Sequence, residues 1–104
     1  MPQRHAEWSQ LALNQFDELL NYLRERNPAV ARRVGQVILA KIDQIEQFPE
    51  AQRSVPGLPA TFREAFVENH RLLYRLVGDD RVRLLSLRHV QQRPLSPAEI
   101  IKLE

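Results

Sequence analysis

Between Phe62 and Val90 the chain alternates apolar and polar residues in three consecutive runs, separated by only a few residues each. FREAFVEN (62–69) sets Phe62, Glu64, Phe66 and Glu68 against Arg63, Ala65 and Val67. RLLYRLV (71–77) sets Leu72, Tyr74 and Leu76 against Arg71, Leu73 and Arg75. VRLLSLRHV (82–90) sets Val82, Leu84, Ser86 and Arg88 against Arg83, Leu85, Leu87 and His89. A period of two belongs to strands lying on a sheet. Links as short as Gly78-Asp79-Asp80 allow only antiparallel neighbours. Such a sheet has two faces, and one of them must be covered from elsewhere in the chain.

The cover lies upstream. Residues 3–8, QRHAEW, read as a short first strand, and Ser9 stands where a helix N-cap belongs. Ala12, Phe16, Leu19, Leu20 and Leu23 then recur at helical spacing, with Asn14, Asp17, Glu18, Asn21 and Arg24 on the opposite side. Asn27 can cap a second helix, and Pro28 suits its first position, where a missing N–H costs nothing. That helix carries Val34, Val37, Ile38, Ile42 and Ile45 and ends near Phe48-Pro49. A link this short folds the two helices back as an antiparallel hairpin. Gly35, inside the second helix, costs roughly 1 kcal/mol against alanine, which predicts close approach to the first helix. Residues 49–61, rich in proline, read as a loop, and Ser96 caps a short helix running through Glu99 to Leu103. The expected architecture is α+β in one domain over residues 1–104. An N-terminal strand and helical hairpin pack on a small, mostly antiparallel sheet (β-α-α-β-β-β), with a short C-terminal helix.

Composition narrows the chemistry. Of the 15 basic residues only Lys41 and Lys102 are lysine; the rest are arginine. Arginine presents a planar fork that pairs bidentately with carboxylates and phosphates, which suits an acidic partner or a nucleic acid. GC-rich coding would raise arginine equally well with no functional cause. The chain has no cysteine, which excludes disulfides and thiolate metal sites. His5, His70 and His89 fall in different elements without metal-ligand spacing, and neither a Gly-rich phosphate loop nor a GxSxG occurs. No metal or cofactor is expected. No run approaches the roughly 20 apolar residues of a membrane span, and MPQRHAEWS lacks the apolar core of a signal peptide; a cytoplasmic location is the expectation.

The order of elements and a set of local motifs resemble the RelE/ParE superfamily of toxins from type II toxin–antitoxin systems. The motifs are Trp8-Ser9 at the entry to the first helix, Asn27-Pro28 in the hairpin and Phe48-Pro49 after the second helix. Arg63-Glu64 opens the next strand, Arg71, Tyr74 and Arg75 match an Arg-x-x-Tyr-Arg pattern, and His89 ends the last strand. The resemblance implies a cognate antitoxin whose acidic, amphipathic C-terminal segment folds across the toxin, with Arg24, Arg32 and Arg33 as candidates to meet it. In the RelE branch it implies a ribosome-dependent, metal-independent mRNA endonuclease, with Arg63 and His89 in position to carry the chemistry. No tyrosine follows His89 and no lysine lies between Lys41 and Lys102, so the departures favour the ParE branch, whose members poison DNA gyrase by binding. A member that has lost toxicity, or that acts on another target, is the third reading. Arg71, Arg75, Arg81, Arg83, Arg88 and Arg93 are the candidates for contact with the target.

Plainer roles stand beside these. Arg63-Glu64 reads equally as a cross-strand ion-pair element, Tyr74 as a buried residue facing the helices, and His89 as a structural histidine on the Leu85/Leu87 face. His70 reads as exposed at a bend, and Arg81 and Arg83 as a solvated edge.

Overall fold

The computed structural model describes residues 4–103. In chain order they form β1 (His5–Trp8), α1 (Gln10–Arg26), α2 (Pro28–Gln47), β2 (Arg53–Ser54), β3 (Phe62–Val67), β4 (His70–Val77), β5 (Arg81–His89) and α3 (Pro97–Ile101). The sheet order is β1-β5-β4-β3-β2. β1 runs parallel to β5, and the remaining pairs are antiparallel. The α+β architecture and the hairpin-on-sheet arrangement therefore stand as the sequence implies, with one added strand. Gln3, expected in the first strand, lies outside the described residues.

Local chemistry fixes the helix ends. The Ser9 hydroxyl accepts from Ala12 N–H at 3.1 Å and donates to the Leu85 carbonyl at 3.1 Å, so one buried group caps α1 and ties it to β5. Asn27 accepts from Val30 N–H at 3.3 Å ahead of Pro28. Gln15 on α1 accepts from Leu87 N–H at 2.7 Å, a second tie between the two elements. The hairpin buries Ala12, Phe16, Ile38, Ile42 and Ile45 against Leu72, Tyr74, Val82 and Leu84. Each isoleucine, leucine, valine or phenylalanine among them contributes on the order of 2 kcal/mol by leaving water. Val37 falls at the edge of this stripe and is 37% exposed. A Cβ on Gly35 would meet only the Leu20 methyl carbons, at 3.4 and 3.5 Å, so the close approach is to a flexible side chain and not to backbone.

Four local features depart from the sequence reading. Residues 49–61 are not all loop: Arg53 and Ser54 pair with Glu64 and Arg63. A strand of two exposed residues leaves no apolar alternation to read. β3 ends at Val67, because Glu68 and Asn69 have φ of 49° and 60° and form a tight left-handed turn between the paired Val67 and His70. His70 consequently joins β4 and is half-buried, not exposed at a bend. In β5 the pairing slips between Leu73 (opposite Ser86) and Tyr74 (opposite Leu84), leaving Leu85 as a bulge. Leu84 and Leu87 therefore pack with the helices while Leu85 turns to the other face, which corrects the expectation that Leu85, Leu87 and His89 share one side. At the C-terminus, α3 stops at Ile101, short of Leu103.

Candidate target interface

The sheet face turned away from the helices carries a second, smaller core. Val55, Phe62, Leu73, Leu85 and Ile100 are buried there, with Leu58, Leu95 and Leu103 packed around them. The C-terminal segment thus lies over the middle of this face. Ser96 accepts from Glu99 N–H while Glu99 reaches back to Ser96 N–H, a capping box that shapes α3. Arg93 donates to both Glu99 oxygens at 2.9 Å. That fork, followed by the Ser96 backbone bond, holds the Glu99 carboxyl down at about 2 and raises the Arg93 guanidinium above its ordinary value.

Around the covered centre the face is arginine-rich. Register sets Arg75 directly opposite Arg83, and Arg71 directly opposite Arg88, across β4 and β5. Like charges facing one another across a ladder oppose folding. Carboxylates relieve this unevenly. Glu64, 5% exposed, pairs with Arg53 at 2.6 Å and Arg71 at 3.3 Å. At the β1 edge Arg81 meets Glu7 at 3.5 Å and Asp80 at 3.9 Å. Arg88 donates to the Arg93 carbonyl at 2.9 Å, linking β5 to the C-terminal segment. The structure thus gathers Arg71, Arg75, Arg81, Arg83 and Arg88 on one face of the sheet, with Arg93 on the segment that crosses it.

Arg63 and His89 are not brought together. Val67 pairs with His70 and His70 with His89, whereas Arg63 pairs with Tyr74. The two residues lie roughly 13 Å apart along the strands and about 10 Å across them. Arg63 instead holds the preceding loop, donating to the carbonyls of Ala60 (2.7 Å), Gln52 (3.0 Å) and Glu50 (3.2 Å). It forms no ion pair with Glu64, which projects to the other face. Tyr74 secures the same loop: its hydroxyl donates to the Pro49 carbonyl at 2.5 Å. Burial pushes that phenol up to about 12, against a smaller opposing effect of Arg63. His89 packs edge-on to His70 with ring centroids 5.1 Å apart, and its Nδ1 accepts from Gln91 N–H at 3.0 Å. Among the described residues no cluster of His, Asp or Glu is arranged to hold a metal.

On the helical side, Phe16, Leu20, Ala31, Gly35 and Leu39 line an apolar groove of about 360 Å³ between α1 and α2, flanked by Arg24 and Arg32. Arg33 lies apart from it, bonded to Glu68 at 2.8 Å. Sequence reasoning missed Arg53, hidden in the proline-rich loop, and the central position of Glu64. The one signal for Glu64 is its place between Phe62 and Phe66 on the same strand face.

The strand–hairpin–sheet arrangement recurs in solved structures. The chain is similar to a chromosomal ParDE system of P. aeruginosa, at 16% identity and TM-score 0.69 over 84% of this chain and 96% of that one. It is similar to the RelBE2 toxin–antitoxin complex of Mycobacterium tuberculosis, at 18% identity and TM-score 0.61 over 86% and 99%. It is also similar to the YoeB dimer of Staphylococcus aureus, at 14% identity and TM-score 0.58 over 84% and 97%. No curated protein sequence matches. The family model described as the ParE toxin of the type II toxin–antitoxin system parDE matches residues 6–94, and the chain belongs to that family. No described helix is long and apolar enough to cross a membrane.

Proposed function

We propose that this protein is a toxin that inhibits DNA gyrase by binding it, and that a cognate antitoxin neutralises it. The observation carrying the reading over RNA cleavage is the separation of Arg63 from His89. A metal-free ribonuclease needs a base, an acid and cations converging on one phosphate. Here Arg63 is committed to three backbone carbonyls at the far end of the sheet from His89. An arginine-bearing surface, with Arg63 held away from His89, suits a mechanism of binding.

The antitoxin's place is the α1–α2 groove. Its apolar floor with Arg24 and Arg32 at the rim matches an amphipathic helix or strand carrying carboxylates. A supercoiling assay with purified gyrase tests the target: the toxin should block supercoiling and accumulate cleaved DNA. Unimpaired supercoiling together with cutting of ribosome-bound mRNA would refute the gyrase reading in favour of the endonuclease, and His89→Ala would then abolish growth arrest. Antitoxin placement is tested by the Arg24→Glu/Arg32→Glu pair, which should free the toxin from neutralisation while leaving its activity on gyrase intact.

A further inference from the structure

We propose that the Arg71–Arg88 end of the sheet face binds a single-stranded nucleic acid directly, with phosphate on the guanidiniums and a base on Phe66. Phe66 pairs with Arg71 across β3 and β4, and Arg71 pairs with Arg88 across β4 and β5. The three side chains therefore form one row on one face, at strand spacing of about 5 Å per step. Phe66 is 45% exposed, with arginine side chains around its ring. The guanidinium carbons of Arg71 and Arg53 lie 5.3 and 5.8 Å from its ring centroid. An aromatic platform edged by cations is the arrangement that takes a stacked base and tracks the phosphates on either side of it.

Beside the row, a cavity of about 320 Å³ opens between the sheet and the C-terminal segment. Pro56, Pro94, Leu95 and Pro97 wall it, and Glu64, Arg53 and Arg71 present both acceptor and donor groups to it. Flat apolar walls with a few polar groups suit a nucleobase better than an aliphatic chain. Two buried groups nearby are incompletely satisfied. Arg71 Nε meets Glu64 only as an ion pair at 3.3 Å, and the hydroxyl of Ser86, wholly buried opposite Leu73, has no hydrogen-bond partner among the described residues. An acidic peptide would answer the arginines but would leave Phe66 without a role, so the nucleic acid is the better match.

This inference does not depend on gyrase, and its test uses none. Fluorescence anisotropy of the full chain is measured with labelled oligothymidylate, labelled oligouridylate and a polyglutamate peptide of equal charge, across a salt series. Phe66→Ala should weaken oligonucleotide binding roughly tenfold and leave polyglutamate unchanged. Arg71→Gln/Arg88→Gln should lower the slope of log affinity against log salt by about 1.4, the share of two phosphate contacts on a single strand. Arg88→Gln alone, expected to remove about half of that, serves if the double variant does not fold. Arg24→Gln/Arg32→Gln on the helical side, with the same change in net charge, should bind as the parent does. The two oligonucleotides decide between DNA and RNA, and tight binding of either supports the site. Absence of binding overturns the proposal. So does polyglutamate binding as tightly with no effect of Phe66→Ala, which marks an acidic-peptide site, or equal weakening by the helical pair, which marks unspecific charge.

Discussion

Tyr74→Phe removes one oxygen atom from a wholly buried side chain and with it the bond to the Pro49 carbonyl. A neutral hydrogen bond is worth about 1 kcal/mol net, and the carbonyl left without its donor adds on the order of another. A total of about 2 kcal/mol corresponds to roughly 10 °C in melting temperature for a domain of this size. A second signature reports the burial of the phenol itself. The phenol's value is 10.0 in the open chain and about 12 in the folded one. The folded state therefore keeps its proton longer, so the stabilisation is complete below pH 10 and is lost as pH rises towards 12. The loss amounts to about 3 kcal/mol at the end of that window, and about half of it midway. Urea unfolding of both proteins at neutral pH and at about pH 11 measures it. Lysine and arginine titrations are common to the two proteins and cancel. The gap between them should narrow by roughly 1 kcal/mol at the alkaline point. No gap at neutral pH would refute the role assigned to the bond with Pro49, and a gap of equal size at both pH values would refute the burial of the phenol.

Gly35→Ala should raise stability by up to about 1 kcal/mol in thermal melts, because helix propensity improves and the new Cβ meets only Leu20 methyl carbons at ordinary contact distance. Gly57→Ala should cost about 1–3 kcal/mol, since Gly57 has φ of +84° and its Cβ would press on Pro97 Cγ at 3.1 Å; hydrogen exchange should show α3 loosened more than α1. Acid should release the C-terminal segment before the body of the domain. Glu99 sits at about 2 against an ordinary 4.5, so its contribution is present above pH 4.5 and lost as pH falls towards 2. Amide protection around α3 should fall over that window in the parent and stay flat in Glu99→Gln.

The elements whose burial follows a simple period were legible from the residues. Ser9, Asn27-Pro28 and the two apolar stripes marked both helices, because caps and helical spacing are local properties. β4 was legible for the same reason, its Leu72-Tyr74-Leu76 face reading straight through. What escaped depends on partners distant in sequence. Arg53 and Ser54 become a strand only because β3 offers an unpaired edge. The turn at Glu68-Asn69 looked like a continuation of β3, since neither residue is glycine. The Leu85 bulge cannot be seen in a run of apolar residues that would serve either face. For the site, arginine content marked the strands that carry the candidate residues but not the shared face on which the register sets them. Arg63 drew attention as a candidate for chemistry, whereas its bonds go to loop carbonyls. Phe66 passed as one more strand hydrophobe.

The bulge at Leu85 also sets the phase of everything after it. Arg81 and Arg83 are odd-numbered and Arg88 is even, yet all three lie on the same side of the sheet, because the extra residue advances the strand by one step between them. Deleting Leu85 would restore an unbroken ladder and leave Arg88 opposite Arg71 and Leu87 opposite Leu72, on the faces they hold now. Were Leu85 instead to pair opposite Leu73 in regular alternation, Arg88 would turn to the side of the helices and Leu87 and His89 would come out on the arginine side. The bulge therefore decides whether the two halves of β5 present one continuous cationic surface or two that face opposite ways.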